Sequence, residues 1–372
     1  MIRILHVLGR LDCGGAETLV MNWYRNINRD AIQFDFVIHT EEECYYSAEI
    51  RRLGGRIFSV PKYSGFNHAT YISKWKAFFL EHPEYKIIHG HVRSTAAIYL
   101  KIAKKMGLIT IAHSHSTSNG IGTYALVKAI LQYPIRYTAD YLFACSESAG
   151  IWLFGKTACK KGNFFVLKNA IDAKKYIYNE KIRKEKRKEF NIDNKLIIGH
   201  IGRFIASKNH IFLIDIFKVL HDNNNDVILM LIGDGALRPL IEKKATDLGL
   251  AKSVIFTGVR SDIPDLLQMI DVFVLPSLYE GVPVTLVEAQ ASGVRCVISD
   301  AITKEVIITD MIRRIPLTKS SKDWAMAIMD ELAFPFRSNT YEKIVKEKYD
   351  VIETVQWLQK FYLEIVNNNC DL

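Results

Sequence analysis

Asp271-Val-Phe-Val-Leu-Pro-Ser-Leu-Tyr-Glu280-Gly-Val-Pro-Val-Thr-Leu-Val-Glu288-Ala-Gln-Ala-Ser-Gly293 reads as a buried strand, a short polar loop and a helix. The apolar run 272–275 stops at Pro276, and Pro283 falls at the first turn of the next periodic stretch, where a missing N–H costs nothing. The backbone amides of Val284, Thr285 and Leu286 are then expected to point outward, unpaired, at the positive end of a helix dipole. That is an anion site suited to a diphosphate. Glu280 lies in the loop and Glu288 within the helix, a spacing that predicts carboxylates at opposite ends of a ligand rather than a close pair.

The same alternation extends in both directions. Apolar runs at 2–8, 34–39, 55–60, 86–89, 108–113, 141–145 and 164–167 predict strands in the first half. Runs at 196–201, 227–232, 253–257, 271–275 and 295–298 do so in the second, with helical patterns at 210–222, 236–248 and 284–292. Strands that read as continuous apolar runs between amphipathic helices belong to parallel sheets covered on both faces, so the fold class is α/β with each half a doubly wound domain. The length of 372 residues agrees, because single cores stop growing near about 250–300 residues. Composition shifts at 156–189, where twelve Lys or Arg residues face four acids, and this marks the boundary. The predicted domains are 1–175, 176–350 and a helical tail 351–372 whose apolar positions recur at helical spacing.

Composition excludes several classes. With 49% hydrophobic and 24% charged residues the chain is neither disordered nor collagenous. Its six cysteines are scattered, with no C-x-x-C pair and no zinc-like spacing to histidine, so neither a disulfide framework nor a structural metal is expected and a reducing cytoplasm fits best. No stretch of 18 uninterrupted apolar residues offers a transmembrane helix, and the N-terminus is too short in apolar residues for a signal peptide. A net charge of +9 suggests an anionic partner. Most of that excess lies in 156–189, and no zinc-finger or RNP-like pattern accompanies it, so no nucleic acid is expected. A G-x-S-x-G elbow, a P-loop and a G-x-G-x-x-G fingerprint are all absent, which argues against a serine hydrolase, a nucleotide triphosphatase and a nicotinamide enzyme.

Other strand ends carry candidate residues. Gly199-His-Ile-Gly-Arg203-Phe-Ile-Ala-Ser-Lys208 follows strand 196–201, and an arginine and a lysine on such a loop can neutralise two phosphates without a metal. Gly9-Arg-Leu-Asp-Cys-Gly14-Gly15 ends the first strand, and paired glycines let the backbone come close to a ligand. Strand 108–113 leads into the polar loop His113-Ser-His115-Ser-Thr-Ser-Asn-Gly, and His89-Gly-His91 beyond strand 86–89 is a weaker cleft lining.

Taken together, the Gly14-Gly15 turn, His115, the Arg203 to Lys208 loop, and Glu280 followed eight residues later by Glu288 make the chain resemble the retaining GT-B glycosyltransferases of family 4. The likeness is greatest to those that build capsular and exopolysaccharide chains. This resemblance implies two Rossmann-like domains facing a cleft, a nucleotide-sugar donor held by the C-terminal domain, an acceptor held by the N-terminal one, and a C-terminal helix crossing back to the first domain. It implies that Arg203 and Lys208 hold the diphosphate, Glu288 the ribose hydroxyls and Glu280 the donor sugar. Backbone near Val259 would line the base, the amides of Val284 to Leu286 would cap a phosphate, and the Gly14-Gly15 turn would close over the donor. His115 matches the family's active-site histidine, with His113 a competitor one step of register away. Arg295 stands where the family usually has proline, and Asn169-Ala-Ile-Asp172 replaces a more usual Asn-Gly-Val-Asp.

The expected reaction is sugar transfer, with retention, from a nucleotide-sugar (UDP-linked) to a lipid-linked glycan, without a metal or any other cofactor. Fixed positive charge is worth most where the leaving diphosphate develops its own. Two alternatives stay open: a GT-B epimerase or hydrolase of nucleotide sugars, and a non-catalytic sugar-nucleotide-binding subunit. Tyr71, Lys74, Trp75, Lys76, Phe78 and Phe79, with Lys101, Lys104 and Lys105, suggest peripheral contact with an anionic membrane at its cytoplasmic face.

Overall fold

The computed structural model describes residues 1–116, 123–334 and 336–370 and divides the chain into two compact units. The first joins Met1–Ala170 to Asp350–Leu372, and the second is Ile171–Tyr349. The expected polar loop after His115 falls, at 117–120, outside the described residues.

In the first unit seven parallel strands, β1 (Ile2–Val7), β2 (Ile32–Ile38), β3 (Ile57–Ser59), β4 (Ile87–Gly90), β5 (Ile109–Ser114), β6 (Tyr141–Ala144) and β7 (Phe164–Val166), lie in the order β3-β2-β1-β4-β5-β6-β7. The order reverses between β1 and β4, the point where doubly wound sheets open a crevice at their carboxyl ends. Helix Gly15–Asn26 and the C-terminal helix Val351–Cys370 pack against each other. They share a core with the strands, built from Trp23, Phe34, Phe143, Leu358 and Tyr362. The opposite face is filled by Tyr71, Trp75, Phe78, Phe79 and Tyr99. Tyr71, Trp75, Phe78 and Phe79, expected at a membrane, are therefore core residues of helix His68–Glu81, each worth about 1.5–3 kcal/mol of burial, while Lys74 and Lys76 face solvent. Their spacing of three and four residues is that of a helix turning an aromatic stripe inward.

The second unit has six parallel strands, β8 (Leu196–Ile201), β9 (Val227–Ile232), β10 (Val254–Gly258), β11 (Val272–Leu275), β12 (Arg295–Ser299) and β13 (Ile312–Ile315), in the order β10-β9-β8-β11-β12-β13. Here the order reverses between β8 and β11. Strand β13 is missing from the sequence reading because Ile-Arg-Arg-Ile carries two charges; as an edge strand it sends Arg313 to Asp330 and Arg314 to the carbonyls of Asp300 and Ile302. The basic run is a helix, Glu180–Glu189, capped by Asn179. Its Arg183 and Arg187 grip the two oxygens of Asp271 at 2.5 and 2.6 Å, and Lys186 bonds Asp262 at 2.8 Å, so half of the apparent polycation is spent inside this unit.

The boundary lies at Ala170/Ile171 rather than at 175/176, because the short turn Ala173–Tyr176 packs on helices Ile263–Met269 and Val284–Ala291. Arg295, the departure from proline, pairs with Glu331 at 2.9 Å and lies over the Phe334 ring.

Five histidines project from one face of the first sheet. His6 stands in register with His89 and His89 with Ile111, so His6, His89, His91, His113 and His115 share a side by strand periodicity. Trp23 covers His89 and His113 at ring distances of 6.0 and 5.8 Å. Burial lowers the basicity of all five: His6 and His115 fall to about 3, and His89, His91 and His113 well below 6.5. The folded state thus keeps them neutral where the unfolded chain takes up protons, so stability is full above pH 6.5 and is lost as pH falls below it, by roughly 1 kcal/mol per histidine per pH unit. Calorimetry between pH 7.5 and 5, with hydrogen exchange to assign the transitions, should show the first unit losing stability more steeply than the second, which buries only His200 and His210 in this way among its described residues.

Candidate functional site

The second sheet's reversal point gathers one set of candidate residues. From the carboxyl end of β8 the chain passes Gly202 and Arg203 into a turn, Ala206–Lys208, and Asn209, left-handed at φ 57°, starts helix His210–Asn223. From the carboxyl end of β11 it passes Pro276 to Glu280. The two loops are tied together: the Asn209 side-chain amide donates to the Pro276 carbonyl at 3.1 Å, and the Leu278 N–H donates to the Ser207 carbonyl at 2.8 Å. Between them Lys208 Nζ donates to Glu280 Oε1 at 2.5 Å, with both side chains about 85% buried. Arg203 is exposed and its guanidinium has no partner among the described residues. The loop after β9 closes in from the side. Gly233, at φ 134°, lies so near that a Cβ there would stand 2.2 Å from the Gly202 carbonyl oxygen, so only glycine fits.

Helix Val284–Ala291 opens beside this pair with Pro283 as its N-cap. The Leu286 amide turns back onto the Pro283 carbonyl at 3.1 Å. Of the three amides expected to be free, Val284 and Thr285 are unpaired among the described residues and Leu286 is not, because the first turn tightens to a three-residue bond. The Thr285 hydroxyl is buried in the same place, without a partner among the described residues. Glu288 sits one turn deeper, 7% exposed, and accepts a hydrogen bond from the Tyr176 hydroxyl at 2.7 Å. Burial pushes its carboxyl up to about 7, with the tyrosine holding it down in part. Val259 follows β10 and is exposed, next to Gly258 at φ 71°.

In the first unit the glycine turn after β1 is the start of helix Gly15–Asn26. Gly14 is its N-cap, and the Glu17 carboxylate folds over it so closely that a Cβ would meet Oε2 at 2.2 Å, whereas Gly15 has open space around it. At the ends of β4 and β5 the histidines form two hydrogen-bonded rows. His6 Nδ1 meets His91 Nε2 at 3.0 Å, and His91 Nδ1 meets His115 Nε2 at 2.8 Å. The second row runs from the Tyr362 hydroxyl to His89 Nδ1 at 2.7 Å and from His89 Nε2 to His113 Nδ1 at 3.1 Å. His113 is 1% exposed under Trp23, while His115 lies half-buried just beyond the strand end.

Two histidine triads, His6/His89/His91 and His91/His113/His115, bring ring nitrogens within 4.8 Å. Their rings lie nearly parallel, at 18° for His6 and His91 and 21° for His113 and His115. The closest nitrogens are already engaged with one another, His6 Nδ1 with His91 Nε2 and His91 Nδ1 with His115 Nε2, so an ion would have to displace both bonds of the first row.

His6 and Tyr176 are the additions that reading the sequence missed. Tyr176 is 112 residues from Glu288 and carries no local signal. The i, i+2 spacing of His89 with His91 and of His113 with His115 does place each pair on one strand face, and that was the available clue to the rows.

The family profile of the glycosyl transferases group 1 matches residues 182–350, nearly all of the second unit and both of its site loops. Over 97% of this chain and 96% of its own length, EpsF of Bacillus subtilis (strain 168), a protein named provisionally as a glycosyltransferase, is 36% identical. The UDP-Gal:alpha-D-GlcNAc-diphosphoundecaprenol alpha-1,3-galactosyltransferase of Escherichia coli is 24% identical over 78% of each chain. Among solved structures, Anabaena HepE in complex with UDP-glucose superposes with a TM-score of 0.78 at 18% identity, covering 98% of this chain and 100% of its own, which places both units in the GT-B fold. With a relative this similar along almost the whole chain, the protein belongs to the group 1 glycosyl transferases.

Proposed function

We propose that the protein is a retaining, metal-independent hexosyltransferase that moves a sugar from a UDP-linked donor to a lipid-linked glycan precursor at the cytoplasmic face of a membrane. The observation that carries this reading is the Lys208–Glu280 pair, held between two strand ends beside the unpaired Arg203 and the free amides of Val284 and Thr285. The site collects two cations and a helix N-terminus, which match a diphosphate, and a carboxylate next to them, which matches sugar hydroxyls. HepE with UDP-glucose supports the donor class, and the Escherichia coli relative, named for a diphosphoundecaprenol acceptor, supports the lipid-linked one.

In this reading the phosphate takes over Lys208, and Glu280 is released to accept from the sugar. The bond from the anomeric carbon to the phosphate oxygen breaks, and its electron pair leaves with the nucleoside diphosphate. The acceptor oxygen bonds the same face of the carbon, and its proton passes to the departing phosphate. Arg203, Lys208 and the amides of Val284 and Thr285 stabilise the charge that grows on that phosphate, which is where fixed dipoles lower the barrier. The Leu286 amide is left out of this cap because it is already bonded. Val259 would border the base, Glu288 would accept from the ribose hydroxyls, Gly14 and Gly15 would let backbone approach the donor, and His115 would bind a sugar hydroxyl.

Membrane contact is relocated from helix His68–Glu81 to helix Thr123–Gln132 and the turn after it. Leu126, Ile130, Tyr133 and Tyr137 are each more than half exposed at helical spacing, and no acidic residue occurs from 106 to 139. Lys101 and Lys105 are exposed on the helix Ala96–Lys105, which packs against it. No helix among the described residues is long and apolar enough to cross a membrane, so this stripe would lie on the surface.

With EDTA present throughout, Lys208→Ala and Glu280→Gln should each lower kcat for transfer from a UDP-sugar by about 10²-fold or more while both proteins stay folded, and wild-type turnover in either variant would remove the assignment. Glu288 must be ionised to accept from ribose, so UDP affinity by calorimetry should weaken about tenfold from pH 8 to pH 6, and Glu288→Gln should flatten that dependence. Cosedimentation with anionic vesicles should fall in a Leu126→Ser/Ile130→Ser double variant and at high salt; binding that ignores both would place the contact elsewhere.

A further inference from the structure

Two buried imidazoles lie behind the Arg203 to Lys208 loop: His200 in β8, and His210, the first residue of the helix that follows the loop. The pairing of β8 with β11 stops at Gly199 and Phe273, and just beyond it His200 Nδ1 meets the Val274 carbonyl at 2.8 Å. A carbonyl can only accept, so Nδ1 carries the proton of the neutral ring and Nε2 is a bare lone pair. That nitrogen is buried without a partner among the described residues. The ring is held in this orientation by the Val274 bond and by His210, edge-on at 4.6 Å and 77°, which is itself stacked on Phe204 at 4.2 Å. Both nitrogens of His210 are also without partners among the described residues, so His210 does not occupy the lone pair. Burial above all, with the neighbouring His210 and Lys208, holds His200 well below its ordinary 6.5 and leaves the lone pair free at neutral pH.

Lys208 passes beside it. A Cβ at Gly202 would stand 3.2 Å from His200 Nε2 and 3.2 Å from both Cδ and Cε of Lys208, so the lone pair and the end of the lysine stem flank one gap that a side chain at 202 would fill. The ammonium has three N–H donors and one acceptor among the described residues, Glu280 Oε1 at 2.5 Å. In the proposed reaction a phosphate takes Lys208 over and Glu280 turns to the sugar. An enclosed ammonium is then left with N–H groups to satisfy, and leaving them unmade is costly.

We propose that His200 is a positioning residue for the donor phosphate: its Nε2 accepts from Lys208 Nζ once a diphosphate has drawn the ammonium away from Glu280, and holds it against that diphosphate. This rests on the reading of Lys208 as a phosphate ligand. A neutral acceptor suits the place better than a second carboxylate, because it fixes the ammonium's direction without cancelling the charge that the leaving phosphate needs.

Ring nitrogen-15 NMR of the whole wild-type chain reads this contact without a substitution. His200 should be neutral and protonated on Nδ1 with and without UDP, and saturating UDP should move its Nε2 resonance towards that of a hydrogen-bonded acceptor. Protonation on Nε2, or an Nε2 resonance that bound UDP leaves in place, would overturn the proposal. Two variants separate the role from a packing one. His200→Asn keeps an N–H for the Val274 carbonyl and loses the acceptor; His200→Gln does the reverse, placing an amide oxygen near the lost Nε2. Calorimetry should show UDP binding about tenfold weaker in His200→Asn and mostly recovered in His200→Gln, with kcat for transfer falling in the same order. A role confined to the Val274 bond predicts the opposite order, and that result, or equal loss in both, would also overturn the proposal. Lys208→Ala decides the reading beneath it. If that variant binds UDP as the wild type does, the assignment of Lys208 to the phosphate fails and this proposal with it; if it loses affinity while His200→Asn does not, only this proposal fails.

Discussion

The reversal of strand order between β8 and β11 is the constraint on which the second unit's chemistry depends. Neighbouring strands whose connections leave in opposite directions cannot cover their own carboxyl ends, so backbone from both loops is exposed at one place. Lys208 comes from one side of the gap and Glu280 from the other. Separate loops would let two long side chains wander. Here the Asn209 and Leu278 bonds fix the loop backbones first, and the ion pair follows from that spacing. Screening matters little for a pair this enclosed, so Lys208 and Glu280 hold each other in place over a wide range of ionic strength. The same reversal in the first unit, between β1 and β4, brings the Gly14–Gly15 turn and His91 to one end of the sheet.

Burying five imidazoles in the first unit is a choice with a cost. An apolar residue at each position would pack as well and would not resist protonation. What the histidines add is directionality, because a ring nitrogen has to be donor or acceptor and a row of them must agree. The stacking of the rings, at 4.1 Å for His113 and His115, keeps them in planes that preserve those bonds. Trp23 and Tyr362 carry the same face on to the two covering helices.

Much of this was legible in the sequence, and the reasons for the rest are specific. Strands buried on both faces announce themselves as apolar runs, and β9 or β11 could hardly be read otherwise. Arg203, Lys208 and Glu280 could be placed together from the sequence because each lies within a few residues of a strand end, and Glu288 because it falls in the helix that the next loop opens. Strand β13 was invisible because an edge strand needs no apolar run, and helix Glu180–Glu189 because its pairing with Asp271 is a contact across more than 80 residues. The aromatics of helix His68–Glu81 were misplaced for the opposite reason: a stripe of rings beside lysines has the same pattern whether it faces lipid or a core. Tyr176 and His6 act only through tertiary neighbours, so nothing local marks them.

The chain enters the second unit at Ile171, leaves it at Tyr349, and bonds those two residues to each other, the Ile171 N–H donating to the Tyr349 carbonyl at 2.9 Å. The first unit is therefore discontinuous in sequence. Its sheet can form from the first 170 residues, but Leu358, Phe361 and Tyr362 seal the face on which the histidines lie, and these are made only after the second unit. During synthesis the contiguous second unit can close first, while the older half of the protein waits with a row of histidines and an aromatic face uncovered. Helix Val351–Cys370 is thus a timer: it ties completion of the first unit's core to the passage of the whole second unit through synthesis.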